Sequence, residues 1–264
     1  MTAGEPDVLH QAADRLWEAR ESAKPSAAVR DLLVDMTAAD AYRVAELNVK
    51  RWMAGGGRAS GWKAGLTSLA VQRQLGVASP DFGALMGEWE VGDDEPIALS
   101  RLLQPRIEAE VAFVLGSDLP DRPVGGTDVI RATDFVLPAI EVADSRIEGW
   151  DLTILDTVAD NASSGLYVLG WKPTRMRDVD LREVVMSLSS ETGPAVSEGA
   201  GAACLGHPVN AVVWLANTLH GLGTRLRAGD LVLSGALGPM VAVNRPGVFE
   251  AVIQGLGSVR ARFV

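Results

Sequence analysis

Hydrophobic positions change their period along this chain, and the change divides it. Over residues 6 to 21, Leu9, Ala12, Ala13, Leu16 and Trp17 recur at helical spacing. Thr37 with Asp40 three positions on has the spacing of a capping box and opens a second helix, whose pattern stops near Gly55, Gly56 and Gly57. Beyond that triplet the apolar residues come in short runs bounded by Gly and Pro. They predict strands over 61–66, 107–116, 134–143, 164–170, 183–190, 230–235, 239–243 and 248–263, the last broken at Gly255 or Gly257. One helix stands clear among them, over 208–220, with Pro208 in its first turn, a stripe of Val209, Val212, Val213, Ala216 and Leu219, and Gly221 closing it. His207 reads as its cap, and His220 suits its C-terminal end when protonated. The reading is a helical N-terminal region over 1–57 and a main domain over 58–264. The order of elements is neither strict βαβ nor a sandwich meander, which predicts an α+β fold around a curled, mixed sheet.

Within this pattern the run 105–115 is the most informative. Side chains on a strand alternate between faces, so Glu108 and Glu110 share one face with Ala112 and Val114, while Ile107, Ala109, Val111 and Phe113 take the other. Two readings are open. Either this is an edge strand with solvated glutamates, or it is buried and the paired charges need a cation. A third acid, Glu141, lies in another apolar run, where alternation groups it with Phe135, Leu137 and Ala139. Three carboxylates with no Cys or His beside them make a hard oxygen site that suits Mg²⁺ or Mn²⁺, not Zn²⁺.

Composition narrows the class. An apolar content of 47% over 264 residues is ample for a large core, and the single cysteine, Cys204, excludes an internal disulfide framework and reads as a buried structural residue. A formal net charge of −10, with no basic block, disfavours nucleic acid and anionic membranes as partners and favours small molecules. The first residues lack a basic n-region and an apolar h-region, and no apolar run approaches about 18 residues, so the expected location is the cytoplasm.

Further polar residues sit in apolar surroundings. Lys63, between Gly61 and Gly65, is either a lysine whose ammonium reaches the surface or a desolvated proton carrier beside a metal. Asp81 is either a turn residue or part of the same site. The polar segment from Asp156 to Gly165 is a hydrogen-bonded turn or a substrate-facing loop. No G-x-S-x-G, P-loop or dinucleotide fingerprint is present in the sequence.

Taken in order, the blocks Lys63-Ala-Gly-Leu-Thr67, Gln74-Leu-Gly-Val77 with Pro80-Asp-Phe-Gly83, Ile107-Glu-Ala-Glu110, Leu137-Pro-Ala-Ile-Glu141, Asp156 to Ser163, Cys204-Leu-Gly-His-Pro208 and Ser234-Gly-Ala-Leu-Gly-Pro-Met240 resemble the 2-keto-4-pentenoate hydratase family. The likeness runs from about residue 30 to the C-terminus, and looks like the 2-hydroxypenta-2,4-dienoate hydratase branch. It implies a fumarylacetoacetase C-terminal-like mixed β-roll with a small helical N-terminal region, assembled as a homo-oligomer, with association with other enzymes of the pathway. It implies metal ligands at Glu108, Glu110 and Glu141, proton and water handling by Lys63 and Asp81, and substrate contacts at Leu66 and at Ser163, the serine meeting a carboxylate. The implied reaction is metal-dependent hydration of 2-hydroxypenta-2,4-dienoate, by way of its 2-oxo-3-enoate tautomer, to 4-hydroxy-2-oxopentanoate in meta-cleavage aromatic catabolism. The related 4-oxalocrotonate decarboxylases and dienedioate hydratases share the metal triad. Their substrates carry a second carboxylate, for which the pocket should offer an extra Arg or Lys.

Overall fold

The computed structural model describes residues 7–77, 79–191 and 193–264. In chain order the elements are α1 (Val8–Ser22), α2 (Ala38–Ala54), β1 (Ala59–Gly65), α3 (Leu69–Leu75), β2 (Asp81–Met86), β3 (Glu90–Val91), β4 (Pro96–Ile97), β5 (Pro105–Leu115), α4 (Gly126–Ala132), β6 (Thr133–Asp144), α5 (Ile154–Ala159), β7 (Ser164–Leu169), β8 (Val185–Ser190), β9 (Ala195–Ala200), α6 (Pro208–Gly221), β10 (Leu231–Leu233), β11 (Val241–Ala242), β12 (Gly247–Ile253) and β13 (Gly257–Phe263). Residue 6 of the expected first helix lies outside the described residues. The capping box is present: Asp40 N donates to Thr37 Oγ1, and Thr37 N donates to Asp40 Oδ2 at 3.0 Å. His207 caps α6 by accepting from Val209 N at 3.0 Å.

Two sheets form the α+β body. The larger has eight strands in the order β2-β1-β10-β5-β6-β7-β3, with β11 also on β5; the smaller runs β4-β13-β12-β8-β9. Parallel pairs (β1 with β10, β3 with β7, β4 with β13) mix with antiparallel ones. β5 is central, flanked by β6, β10 and β11, so the edge-strand reading of its glutamates does not hold. Most apolar side chains of both sheets, with α4 and α6, join one core; Leu9, Leu16, Val44 and Leu33 build a second with Ile147 and Val158.

Seven elements were not in the sequence pattern: α3, α4, α5, β2, β3, β4 and β9. α3 and α5 have seven and six residues, too few for a period to show. α5 replaces the expected turn or loop: Thr153 and Asp156 cap it, and it runs into a 3-10 turn, Asn161–Ser163. β2 begins at Asp81, so this residue leads a fully buried strand and is not a turn residue. β9, mostly exposed, lacks an apolar run. Asp156 also ties the N-terminal helices to the body, accepting from Val29 N at 3.0 Å, Arg30 N at 2.9 Å and the Arg30 guanidinium at 2.7 Å. Among the described residues no helix is long and apolar enough to cross a membrane.

Gly61 sets how closely β1 approaches β10. Its φ is +153°, and a Cβ there would overlap the Leu231 carbonyl, its register partner. Gly61→Ala should therefore lower stability by about 2–4 kcal/mol in denaturant unfolding. A wild-type midpoint would show that β1 can back away without loss.

Candidate metal centre

The register of β5 on β6 brings the acids together. Glu108 faces Glu141 directly and Glu110 lies one same-face step along. The three are buried, and one carboxylate oxygen from each lies within 4.8 Å of the others. Glu110 Oε2 accepts from Gly235 N at 2.8 Å, and Glu141 Oε1 meets Lys63 Nζ at 2.8 Å. Glu108 Oε1, Glu110 Oε1 and Glu141 Oε2 have no hydrogen-bond partner. Bare buried carboxylate oxygens are costly, and converging oxygen donors are what a hard divalent cation takes, so the residues present fit such an ion. With no cation, burial and repulsion from Glu141 push the Glu108 carboxyl up to about 8. Burial, with Glu141 and Glu108 behind it, pushes Glu110 well above the carboxylate range.

Lys63 and Asp81 complete the cluster. Burial pulls the Lys63 ammonium down, but Glu141, Asp81 and Glu108 together outweigh it and hold its pKa above the ordinary lysine value. Burial raises the Asp81 carboxyl against the opposing pull of Lys63 and of Thr157, whose Oγ1 donates to Asp81 Oδ2 at 2.9 Å. Asp81 Oδ1 has no partner. Gly65 faces Asp81 across β1 and β2, and a Cβ there would overlap that Oδ1 and come within 3.5 Å of Lys63 Nζ. Asp81 Oδ1 occupies the space left by the missing side chain, and Lys63 Nζ borders it.

The remaining candidates fall around this cluster. Leu66, at φ 57°, is buried beside Val71, Ala236 and Met240 in an apolar group that also takes Trp150 and Ile154. Ser163 lies in a different network: its hydroxyl donates to Asp160 Oδ2 at 3.2 Å, while Arg146 grips the same carboxylate. Asn161, Ala162 and Ser163 are consecutive left-handed residues, at φ of 52°, 51° and 53°, each costing about 1–3 kcal/mol. The Asn161 side chain pins this turn to Ala84 through bonds of 2.8 and 2.9 Å. Cys204 is buried and donates to Ser234 O at 3.0 Å. His220 lies 3.5 Å from Asp121 at the surface end of α6.

Sequence reasoning missed Thr157, the Arg146–Asp160 pair and Arg106. Thr157 lay unnoticed inside the polar block, and Arg106 is on the same alternation as Glu108.

Residues 70–264 match the family described as fumarylacetoacetate (FAA) hydrolase C-terminal. The chain is 53% identical, over 98% of its length and 96% of theirs, to 2-keto-4-pentenoate hydratase of Paraburkholderia xenovorans (strain LB400) and to 2-keto-4-pentenoate hydratase 3 of Pseudomonas putida. It belongs to the 2-keto-4-pentenoate hydratase family. Its fold matches the 4-oxalocrotonate decarboxylase from Pseudomonas putida G7, complexed with magnesium and adipate, with a TM-score of 0.91 at 37% identity over 97% of each chain. The hydratase likeness is the stronger in sequence and covers the N-terminal helices as well as the sheets.

The elevated carboxyls give this family member a stability that depends on pH. In the folded chain Glu108 keeps its proton to about 8, whereas an unfolded glutamate releases it near 4.5. Between these values the folded state binds more protons, so stability without metal should fall as pH rises through that window. Differential scanning fluorimetry in chelator should show the melting midpoint dropping from pH 5.5 to pH 8. Mg²⁺ or Mn²⁺ should raise it more at pH 8, because ligation requires the deprotonated acids. A midpoint indifferent to both would contradict a buried cation site.

Proposed function

We propose that this chain is a cytoplasmic, metal-dependent hydro-lyase that hydrates 2-hydroxypenta-2,4-dienoate, through its 2-oxo-3-enoate tautomer, to 4-hydroxy-2-oxopentanoate in meta-cleavage aromatic catabolism. One observation carries it: Asp81 Oδ1 fills the space over Gly65 and Lys63 Nζ borders it, beside three buried glutamates with bare oxygens. The identity to hydratases over nearly the whole chain supports the same reading.

An Mg²⁺ or Mn²⁺ ion held by Glu108, Glu110 and Glu141 would supply Lewis acidity toward a 2-oxo acid. The chain's own groups do the proton work. Lys63, protonated at rest on Glu141, delivers a proton from Nζ to C5 of the dienoate, and the proton released from the 2-hydroxyl returns to Nζ as the 2-oxo tautomer forms. Thr157 occupies Asp81 Oδ2, so Oδ1 is the oxygen left to accept a proton from the water that adds at C4. Return of that proton to C3 completes hydration. Leu66 and its apolar neighbours exclude bulk water. Ser163 adds a polar contact. Exposed apolar side chains, Trp171 at 78% with Val185, Val196 and Val252, support a homo-oligomer, through which other enzymes of the pathway can also associate.

Decarboxylation of 4-oxalocrotonate is the alternative, favoured by the fold match to that enzyme. With added Mg²⁺ or Mn²⁺, the ultraviolet absorbance of fresh 2-hydroxypenta-2,4-dienoate should decay to 4-hydroxy-2-oxopentanoate. Carbon dioxide released from 4-oxalocrotonate, with the dienoate left intact, would reverse the assignment. Glu110→Gln should lose Mn²⁺ affinity and activity together, whereas Lys63→Ala should keep Mn²⁺ and slow turnover by about 10²–10⁴-fold. Undiminished turnover in Lys63→Ala would remove that residue from the mechanism.

A further inference from the structure

β5 carries one cation on the same face as its acids. Arg106 precedes Glu108 by two positions, and its cross-strand partners are Ala143 and Ala242, too small to cover it. Its guanidinium lies over the Trp150 ring, 4.2 Å from the centroid, and Nη1 donates to Met240 Sδ at 3.5 Å. A thioether is a weak acceptor for a charged donor. Among the described residues no carboxylate lies within ion-pair distance of Arg106. Arg106 is half-buried, and the two buried cations among the described residues are committed: Arg146 to Asp160 and to the Asp144 and Ser164 carbonyls, Lys63 to Glu141. Arg106 also borders an open cleft of about 470 Å³ lined by Gln104, Trp150 and Asn244, so of Arg106, Glu108 and Glu110, which share a strand face, it is the one that meets solvent.

Charge gives this cation a purpose. Glu108, Glu110, Glu141 and Asp81 bring four negative charges when ionised, and a divalent ion with Lys63 offsets three. The remaining negative charge would repel an anionic substrate at short range, where solvent screening is weak. Ser163, the residue expected to meet the carboxylate, already gives its hydroxyl hydrogen to Asp160.

We infer that Arg106 is the carboxylate-binding residue of the site, held on the Trp150 shelf until a 2-oxo acid displaces its contact with Met240. The inference rests on the proposed reading only in the class of ligand, a small 2-oxo monocarboxylate. A planar guanidinium pairs with a carboxylate through two parallel N–H donors, and stacking on an aromatic ring removes the rotamer freedom that such pairing costs.

The test is binding, separate from turnover. Calorimetry on Mn²⁺-loaded protein compares pyruvate with its neutral isostere pyruvamide, and paramagnetic resonance of free Mn²⁺ checks that the metal stays bound. Wild type should prefer pyruvate; Arg106→Met should lose about 10- to 100-fold in pyruvate affinity while pyruvamide and Mn²⁺ affinities stay within twofold. Arg106→Lys, which keeps stem and charge without the fork, should show a smaller loss of the same selective kind, and it carries the comparison if the Met variant does not fold. Pyruvate affinity unchanged in either variant, with Mn²⁺ retained, would overturn the inference. Arg106-dependent pyruvate binding in a protein that fails to hydrate the dienoate would leave the inference standing and sink the proposed reaction.

Discussion

Burial of like charges governs this structure. Glu108, Glu110 and Glu141 are drawn to one point inside the sheet, where water does not reach and each carboxylate would resist ionising. The chain offers them one ammonium, Lys63, and one backbone donor, Gly235 N. Everything nearby is fitted to that arrangement. β1 lies between β2 and β10 so that Lys63 reaches Glu141, and Gly61 lets that strand approach closely. The compensation is incomplete, and the deficit is what a divalent cation would fill.

Other buried acids in the same chain show that the deficit belongs to the site. Asp144 accepts from Leu103 N and Gln104 N, Asp156 from three backbone amides, the Thr153 hydroxyl and a guanidinium, and Asp160 from Arg146, Ser145 and Ser163. None leaves a buried oxygen without a partner. The fold can therefore satisfy an inward-facing carboxylate wherever the carboxylate is structural. Among the described residues, Glu108, Glu110, Glu141 and Asp81 alone of the buried acids keep bare oxygens, and all four are at the centre. Strain is concentrated beside them too, in the left-handed turn from Asn161 to Ser163 and at Leu66.

The strands that carry the triad were readable because a period of two on long apolar runs is a strong signal, and it placed Glu108 and Glu110 on one face correctly. That Glu141 stands opposite Glu108 was not readable, since register depends on partners distant in sequence. Lys63 stood out by its apolar neighbours. Asp81 was obscured by Ser79, Pro80 and Gly83, which give its surroundings the composition of a turn, although β2 is buried throughout. Thr157 escaped because α5 has too few residues to show a period, and its hydroxyl acts on a residue 76 positions away. Arg106 sat in plain alternation with the glutamates. Nothing in the sequence shows Trp150 beneath it, the ring on which that guanidinium rests at the edge of the open cleft.

Because Lys63, Asp81, the Glu108–Glu110 pair and Glu141 come from four strands, the centre exists only once the large sheet has closed. The unfolded chain has no such cluster, so cation binding adds its free energy to folding. Folding without the ion must instead accept protons on Glu108 and Glu110, the groups whose burial most disfavours charge. Glu110 is anchored through one oxygen by Gly235 N, and Glu141 through one by Lys63, so each offers its other oxygen from a fixed position. Glu108 has no such anchor and lies nearest in sequence to Arg106. Glu141, fixed by Lys63, is the acid tied to the ammonium on β1, while Glu108 is the acid two residues from Arg106, which borders the open cleft.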